Sequence, residues 1–84
     1  MQLVLYTKPD CPLCEKAKAL LDRLRFEYNL SLREIDITGD SKLERRFGLL
    51  VPVIELDSGP TLYGEIEEGR MRAALEAVAQ EVRR

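Results

Sequence analysis

The amino-acid sequence predicts an α/β fold: a four-stranded mixed sheet with helices on both of its faces, strung in the order β α β α β β α. Two observations carry the prediction. From Gln2 to Thr38 an apolar strand pattern, a stretch of helical period and a second strand pattern follow one another without a linker, which describes a βαβ unit. Two parallel strands need such a crossover, and it is right-handed in nearly all proteins. Further on, two short strand patterns flank the turn sequence Asp57-Ser58-Gly59-Pro60, and a last run of helical period closes the chain. At 84 residues, against ~100 to 150 for a typical domain, residues 1–84 are expected to form one domain with a thin stability margin.

Each element has its own signal. Gln2 to Tyr6 is a continuous β-favouring run of the kind expected from a strand covered on both faces. Pro9 and Asp10 supply turn chemistry, and Pro12 suits a first helical turn, where its missing N–H has no partner to lose. A helix should therefore start at the cysteines. Cys14, Ala17, Leu21 and Leu24 recur at helical spacing, while Lys16, Lys18, Asp22, Arg23 and Arg25 fall mostly on the other side, out to Phe26 or Tyr28. In Ser31 to Thr38, Ile35 and Ile37 alternate with Glu34 and Asp36, as in a strand with one buried face. Ser41 and Glu44 match a capping box behind the turn residues Gly39 and Asp40, with Gly48 as a left-handed stop after Phe47. Leu49 to Leu56, around Pro52, and Thr61 to Tyr63 should form a hairpin. Met71, Leu75, Val78 and Val82 then mark a final helix whose acidic start, Glu65, Glu67 and Glu68, suits a helix N-terminus.

Composition narrows the function. The chain carries 13 Lys and Arg against 15 Asp and Glu, a formal charge of −2, with both signs interspersed and no basic stripe. That argues against a nucleic-acid partner, and the 45% apolar content argues against intrinsic disorder. The longest apolar run, Leu49 to Ile54, is broken by Pro52 and falls far short of the ~20 residues of a membrane span. Met1 to Tyr6 leads straight into a charged turn without the layout of a secretory signal, so a cytoplasmic location is the default expectation. The count of His is 0. This removes the commonest general base, the Ser-His-Asp and Cys-His arrangements and every histidine-containing metal site. With 2 Cys, a four-thiolate zinc site within one chain is excluded as well.

What remains is Cys11 and Cys14, three positions apart. A thiol attacks a disulfide only as its thiolate, and a free cysteine ionises near ~8.5, so a nucleophilic cysteine needs surroundings that favour negative charge. A helix N-terminus provides them through unpaired N–H groups and the positive end of the macrodipole. Cys11 stands at that place, Cys14 lies one turn deeper, and Lys8 can add positive charge while Asp10 and Glu15 oppose it. The expectation is a Cys11 that ionises below the free thiol, with Cys14 as the resolving sulfur. A C-x-x-C pair at a strand-to-helix junction in a βαβ pattern is a redox arrangement. Two ordinary core cysteines are the plainer reading, and for Cys14, on the apolar stripe, it holds in part.

The segment Lys8-Pro9-Asp10-Cys11-Pro12-Leu13-Cys14, with Leu49-Leu50-Val51-Pro52 after the second helix, resembles the glutaredoxin branch of the thioredoxin-like superfamily. Nearly the whole chain matches that family's βαβ-α-ββα order, and the motif differs from the usual C-P-Y-C only at Leu13. The resemblance implies a thioredoxin-like fold of the glutaredoxin type and a dithiol redox-active centre. It further implies a cis Pro52 beside the cysteines, with Val51 offering its backbone to an extended substrate. Lys8 takes the place of a lysine that helps bind the glycine carboxylate of glutathione, and Gly64 that of a glycine allowing close approach. One departure stands out. Where glutaredoxins carry Gly-Gly and a Ser/Thr-Asp pair for the γ-glutamyl end, this chain reads Tyr63-Gly64-Glu65-Ile66-Glu67, which presents negative charge to a negatively charged tripeptide.

The reading that results is a dithiol thiol-disulfide oxidoreductase serving electron transport and cell redox homeostasis, using Cys11 and Cys14. Substrate contacts are expected at Lys8, Pro12, Val51, Pro52 and Gly64. Its partners would be protein or low-molecular-weight disulfides, with glutathione or thioredoxin reductase as electron donor. No bound cofactor, metal, nucleic acid or membrane is expected, and glutathione is a candidate co-substrate of a monomer. Two alternatives use the same residues differently: a dimer holding a metal or iron–sulfur cluster through four thiolates, and a non-catalytic thioredoxin-like interaction module. Arg45 and Arg46 are candidate contacts to an acidic partner or part of a solvated helix face.

Overall fold

The computed structural model describes residues 1–57 and 59–82. Its elements are β1 (Gln2–Thr7), α1 (Pro12–Tyr28), β2 (Ser31–Asp36), α2 (Ser41–Phe47), β3 (Val53–Leu56), β4 (Thr61–Tyr63) and α3 (Glu68–Val82). The strands form a four-stranded sheet in the order β2-β1-β3-β4. β1 pairs parallel with β2, from Gln2 opposite Ser31 to Thr7 opposite Asp36, as the crossover through α1 requires. It pairs antiparallel with β3, Leu3 opposite Leu56 and Tyr6 opposite Val53. β3 and β4 close the antiparallel hairpin. Within its turn Gly59 donates to the Leu56 carbonyl, and a side chain at Gly59 would run into Val78. Ser58 and the side chain of Val82 lie outside the described residues.

Strand alternation sends Leu3 and Leu5 to one face, where they meet Leu20, Leu21 and Leu24 of α1 and Met71, Ala74, Leu75 and Val78 of α3. This is the larger core, and each fully buried leucine in it contributes about 1.5–3 kcal/mol over an exposed one. Tyr6 points to the opposite face and stacks on Phe47 of α2, with ring centroids 4.6 Å apart. β1 is thus covered on both faces only at its C-terminal end. α2 is too short to reach further, and Val4 stays half-buried. A second, smaller core of Cys14, Ile37, Phe47, Val51 and Val53 gathers at that end, with Tyr6, Cys11 and Leu43 packed against it.

Four boundaries differ from the sequence expectation, each for a local reason. β2 ends at Asp36, whose carboxylate accepts from the Thr38 N–H at 2.9 Å and turns the chain, so Ile37 is buried beyond the strand. α2 is capped by Asp40 rather than Ser41: the Asp40 carboxylate accepts from the Leu43 N–H at 3.1 Å, while Glu44 accepts from the Gly39 N–H at 3.2 Å. Only half of the expected capping box is thus formed, since Glu44 reaches past the cap to Gly39. Gly48 is right-handed, φ −53° and ψ −35°, and the helix end is finished by Leu50 and Val51, whose N–H groups both donate to the Phe47 carbonyl. This turn occupies Leu49 to Val51 and delays β3 until Val53, after a cis peptide bond between Val51 and Pro52 as the family resemblance implied.

Candidate active site

The site is assembled at the C-terminal end of β1 by the turn that leads into α1. Asp10 adopts a left-handed conformation, φ 55°, which Asp tolerates better than most residues, and so turns the chain sharply after β1. Cys11 is then the N-cap of α1 and Pro12 its first residue. The Cys11 carbonyl accepts from the Glu15 N–H at 3.1 Å, and the Cys11 sulfur accepts from the Cys14 N–H at 3.2 Å. The sulfur thereby takes the part that a Ser or Asp oxygen plays at other N-caps. Cys11 and Cys14 are joined in a disulfide, with Cα atoms 5.2 Å apart. That separation lies inside the range a disulfide spans without backbone distortion.

The two sulfurs differ in access. Cys11 is partly exposed, whereas Cys14 retains 3% of its surface and belongs to the small core with Phe47 and Val51. When the disulfide is reduced, the Cys11 sulfur meets an N–H donor and the helix dipole, both of which favour its charged form. The arrangement offers one sulfur to solvent and keeps the other inside.

Around the pair, Val51 is buried and packs in the same small core, next to the cis Pro52. Its N–H donates to the Phe47 carbonyl at 3.0 Å, so an extended substrate pairing with Val51 must compete with the end of α2. Gly64 has φ +77° and donates its N–H towards both the Leu50 carbonyl, at 3.2 Å, and the Pro52 carbonyl, at 3.0 Å. It pins the loop before β3 to the end of β4. Lys8 reaches the other way: its ammonium donates to the Gly48 carbonyl at 3.2 Å, at the negative end of α2. Pro12 is exposed beside Cys11. Arg46 lies 4.8 Å from the Phe47 ring centre and 3.9 Å from Glu55, so it lies over the small core and pairs across the sheet. Glu55 in turn accepts from the Tyr6 hydroxyl at 2.8 Å, and this bond, after burial, pushes the Tyr6 hydroxyl above its ordinary value.

Three features escaped the sequence reading. Leu49 is fully exposed, and Leu50 and Tyr63 are roughly half so, giving the loop before Pro52 and the end of β4 an apolar surface. Leu49 and Leu50 read as strand because only the turn after α2 lifts them out of the sheet. Thr7 is buried at the end of β1 and lines a small depression with Cys14, which nothing in its neighbours signals. Glu34 and Lys18 line the same depression from two elements, and of these only the Cys14-to-Lys18 spacing of four was visible in the sequence. Among the described residues no three Cys, Asp or Glu side chains converge as a metal site, so the chain's own offer to a metal is its sulfur pair.

Comparison with known proteins agrees with this geometry. Residues 2–76 match the family described as Glutaredoxin-like domain (DUF836). The chain belongs to this family. Among its relatives are uncharacterized proteins of Mycobacterium bovis and Mycobacterium tuberculosis, each 32% identical over 77 residues that cover 86% of this chain and 79% of theirs. The crystal structure of the protein XcR50 from X. campestris is similar at 35% identity, with a TM-score of 0.78, over 89% of this chain and 96% of that one. Thioredoxin 1 of Thermosipho africanus shares the fold, at a TM-score of 0.77 and 11% identity over 100% of both chains. The glutaredoxin-like assignment and the thioredoxin-like α/β fold are thereby shown.

Proposed function

We propose that this glutaredoxin-like protein is a thiol-disulfide oxidoreductase that cycles between the Cys11/Cys14 dithiol and its disulfide. The observation that carries the reading is the asymmetry of the pair: Cys11 caps α1 and reaches solvent, while Cys14 is buried one turn deeper and bonded to it. In the reductive direction the Cys11 thiolate attacks one sulfur of a substrate disulfide and expels the other as a thiolate. Cys14 then attacks Cys11, the mixed disulfide breaks, and the substrate leaves with two thiols while the protein holds the new disulfide. Two electrons pass to the substrate, and an external thiol system restores the dithiol. The side chains of Val51 and Pro52 are buried, so what this segment and Gly64 would offer a substrate is backbone. Lys8, tied to Gly48, is free for a glycine carboxylate only if it leaves that carbonyl, and Glu65 and Glu67 follow Gly64. This favours a protein disulfide over glutathione as substrate.

The experiment is disulfide reduction by wild type and single variants, run in parallel with glutathione plus its reductase and with thioredoxin reductase. Cys11→Ser should lose activity in both systems, and Cys14→Ser should accumulate a mixed disulfide on Cys11. The glutathione-linked rate should be the lower one. Full activity in Cys11→Ser would refute the mechanism.

A further inference from the structure

Single exposed apolar side chains are ordinary on a protein surface, but several grouped beside a reactive centre mark a contact surface. Leu49 is 100% exposed, Tyr63 50% and Leu50 41%, and the backbone brings them together. The N–H of Gly64, next to Tyr63, donates to the Leu50 and Pro52 carbonyls. Tyr63 stands opposite Val53 in the β3–β4 register, so both face the side of the sheet that carries α2, the helix that Leu49 and Leu50 follow. Val51 and Val53 beneath them share the small core with Cys14, and Cys11 packs against it, so this apolar ledge borders the disulfide. At its other end Leu49 lines a depression of about 270 Å³ with Lys8, Ile37, Glu44 and Gly48. Both charged groups of the depression are engaged, Lys8 with the Gly48 carbonyl and Glu44 with the Gly39 N–H. What stays open is Ile37, Leu49 and the Lys8 stem, with room for one large apolar side chain. Charges divide between the flanks of the ledge. On one side α2 carries Arg45 and Arg46, of which Arg46 is paired with Glu55. On the other, Asp10 and Glu15 stand close to Cys11 in the chain, and Glu65 and Glu67 follow Gly64. These four carboxylates are exposed, and none has an ion-pair partner among the described residues.

We infer that the substrate is a disulfide in a cationic protein segment: a large apolar side chain beside its cysteine rests on the ledge of Leu49, Leu50 and Tyr63, and its Lys or Arg residues face Glu65 and Glu67. The inference rests on the oxidoreductase reading and adds the chemistry of the substrate to it. The attacked sulfur has to come to Cys11 at the start of α1, which brings the residues beside it over the ledge and towards the Gly64 end. There the apolar contact supplies affinity, while the unpaired carboxylates steer and select by charge. An anionic tripeptide has neither feature.

Three end-blocked peptides, Lys-Leu-Cys-Lys, Glu-Leu-Cys-Glu and Lys-Gly-Cys-Lys, each with its cysteine held as the mixed disulfide with thionitrobenzoate, test this on the reduced protein. The Cys11 thiolate attacks the peptide sulfur and the yellow thionitrobenzoate thiolate leaves. Cys14 then loses its proton to solvent and attacks Cys11, which frees the peptide thiolate. Dividing each rate of colour release by that of 2-mercaptoethanol with the same peptide removes the peptide's own reactivity. At low salt the Lys-Leu peptide should react about tenfold faster than either of the others. Its lead over the Glu-Leu peptide should fade near 1 M salt, where screening acts within ~3 Å. The double variant Glu65→Gln/Glu67→Gln should erase that lead, and Leu49→Ser most of the lead over the Lys-Gly peptide. Equal corrected rates for the three peptides, or a fastest reaction with the acidic one, overturn the inference. So does a charge preference that survives in Glu65→Gln/Glu67→Gln. A wild type that releases no thionitrobenzoate from any peptide contradicts the oxidoreductase reading itself, and the inference falls with it.

Discussion

Asn29 follows α1 in a left-handed conformation, φ 54° and ψ 56°, with its N–H bonded to the Arg25 carbonyl. Only Gly and, less readily, Asn or Asp take this backbone cheaply, so Asn29→Ala should cost about 1–2 kcal/mol while Asn29→Gly is tolerated. Urea midpoints of the two variants check it. At this scale the cysteines were the most legible part of the site, because a spacing of three at a helix start leaves little geometric freedom. Lys8 was less so. The sequence gives its distance from Cys11 along the chain, but the bond to the Gly48 carbonyl depends on where α2 ends in space. The exposure of Leu49 and the burial of Thr7 are likewise set by neighbours far away in sequence.

Among the elements, α2 is the one that holds the second wall of the site, since Phe47 packs in the small core and its carbonyl takes the Val51 N–H. Its stability depends on the cap at Asp40. Asp40→Ala should cost about 1 kcal/mol, whereas Ser41→Ala, the position the sequence favoured, should stay within about 0.5 kcal/mol. Thermal melts of both variants distinguish the two assignments. The two assignments differ by one residue because Asp40 and Ser41 are both good caps; hydrogen-bond geometry alone decides, with Leu43 donating to Asp40 and Glu44 accepting from Gly39. Longer elements were easier to read. The apolar stripes of α1 and α3 bury the residues their period picked out, Leu21, Leu24, Met71, Leu75 and Val78 among them, because burial against a sheet needs that repeat. β1 shows the limit: a run apolar throughout implied cover on both faces, yet a seven-residue α2 covers one end.

Across the whole molecule, α1 and α3 are tied by a charged network in which Arg23 and Arg72 each contact Glu68 at 2.9 Å, and Arg72 also meets Glu27. These groups are solvated, so water and salt screen each pair and its contribution to stability is small. Their imprint is in the pH dependence. Hydrogen bonds from Arg72, then Arg23, hold the Glu68 carboxyl below its usual range, and the Thr38 N–H does the same for Asp36. A carboxyl lowered in the folded state contributes stability that is complete above its unfolded value and is lost as pH falls through the folded one. The urea midpoint should therefore drop below about pH 4, and Glu68→Gln should drop less steeply there. The overall fold was legible because order, crossover and turn signals agree. The surface around the cysteines was not, since it is built from loops whose positions the sheet dictates.

The central claim is that Cys11 is the ionised, reachable sulfur and Cys14 its protected partner. Timed iodoacetamide alkylation of the fully reduced protein from acid to alkaline pH, mapped by mass spectrometry, measures both properties at once. Cys11 should be modified first, with a midpoint below the ~8.5 of a free thiol, while Cys14 lags at every pH. Equal labelling of the two cysteines, or a Cys11 midpoint at or above that of a free thiol, would contradict it.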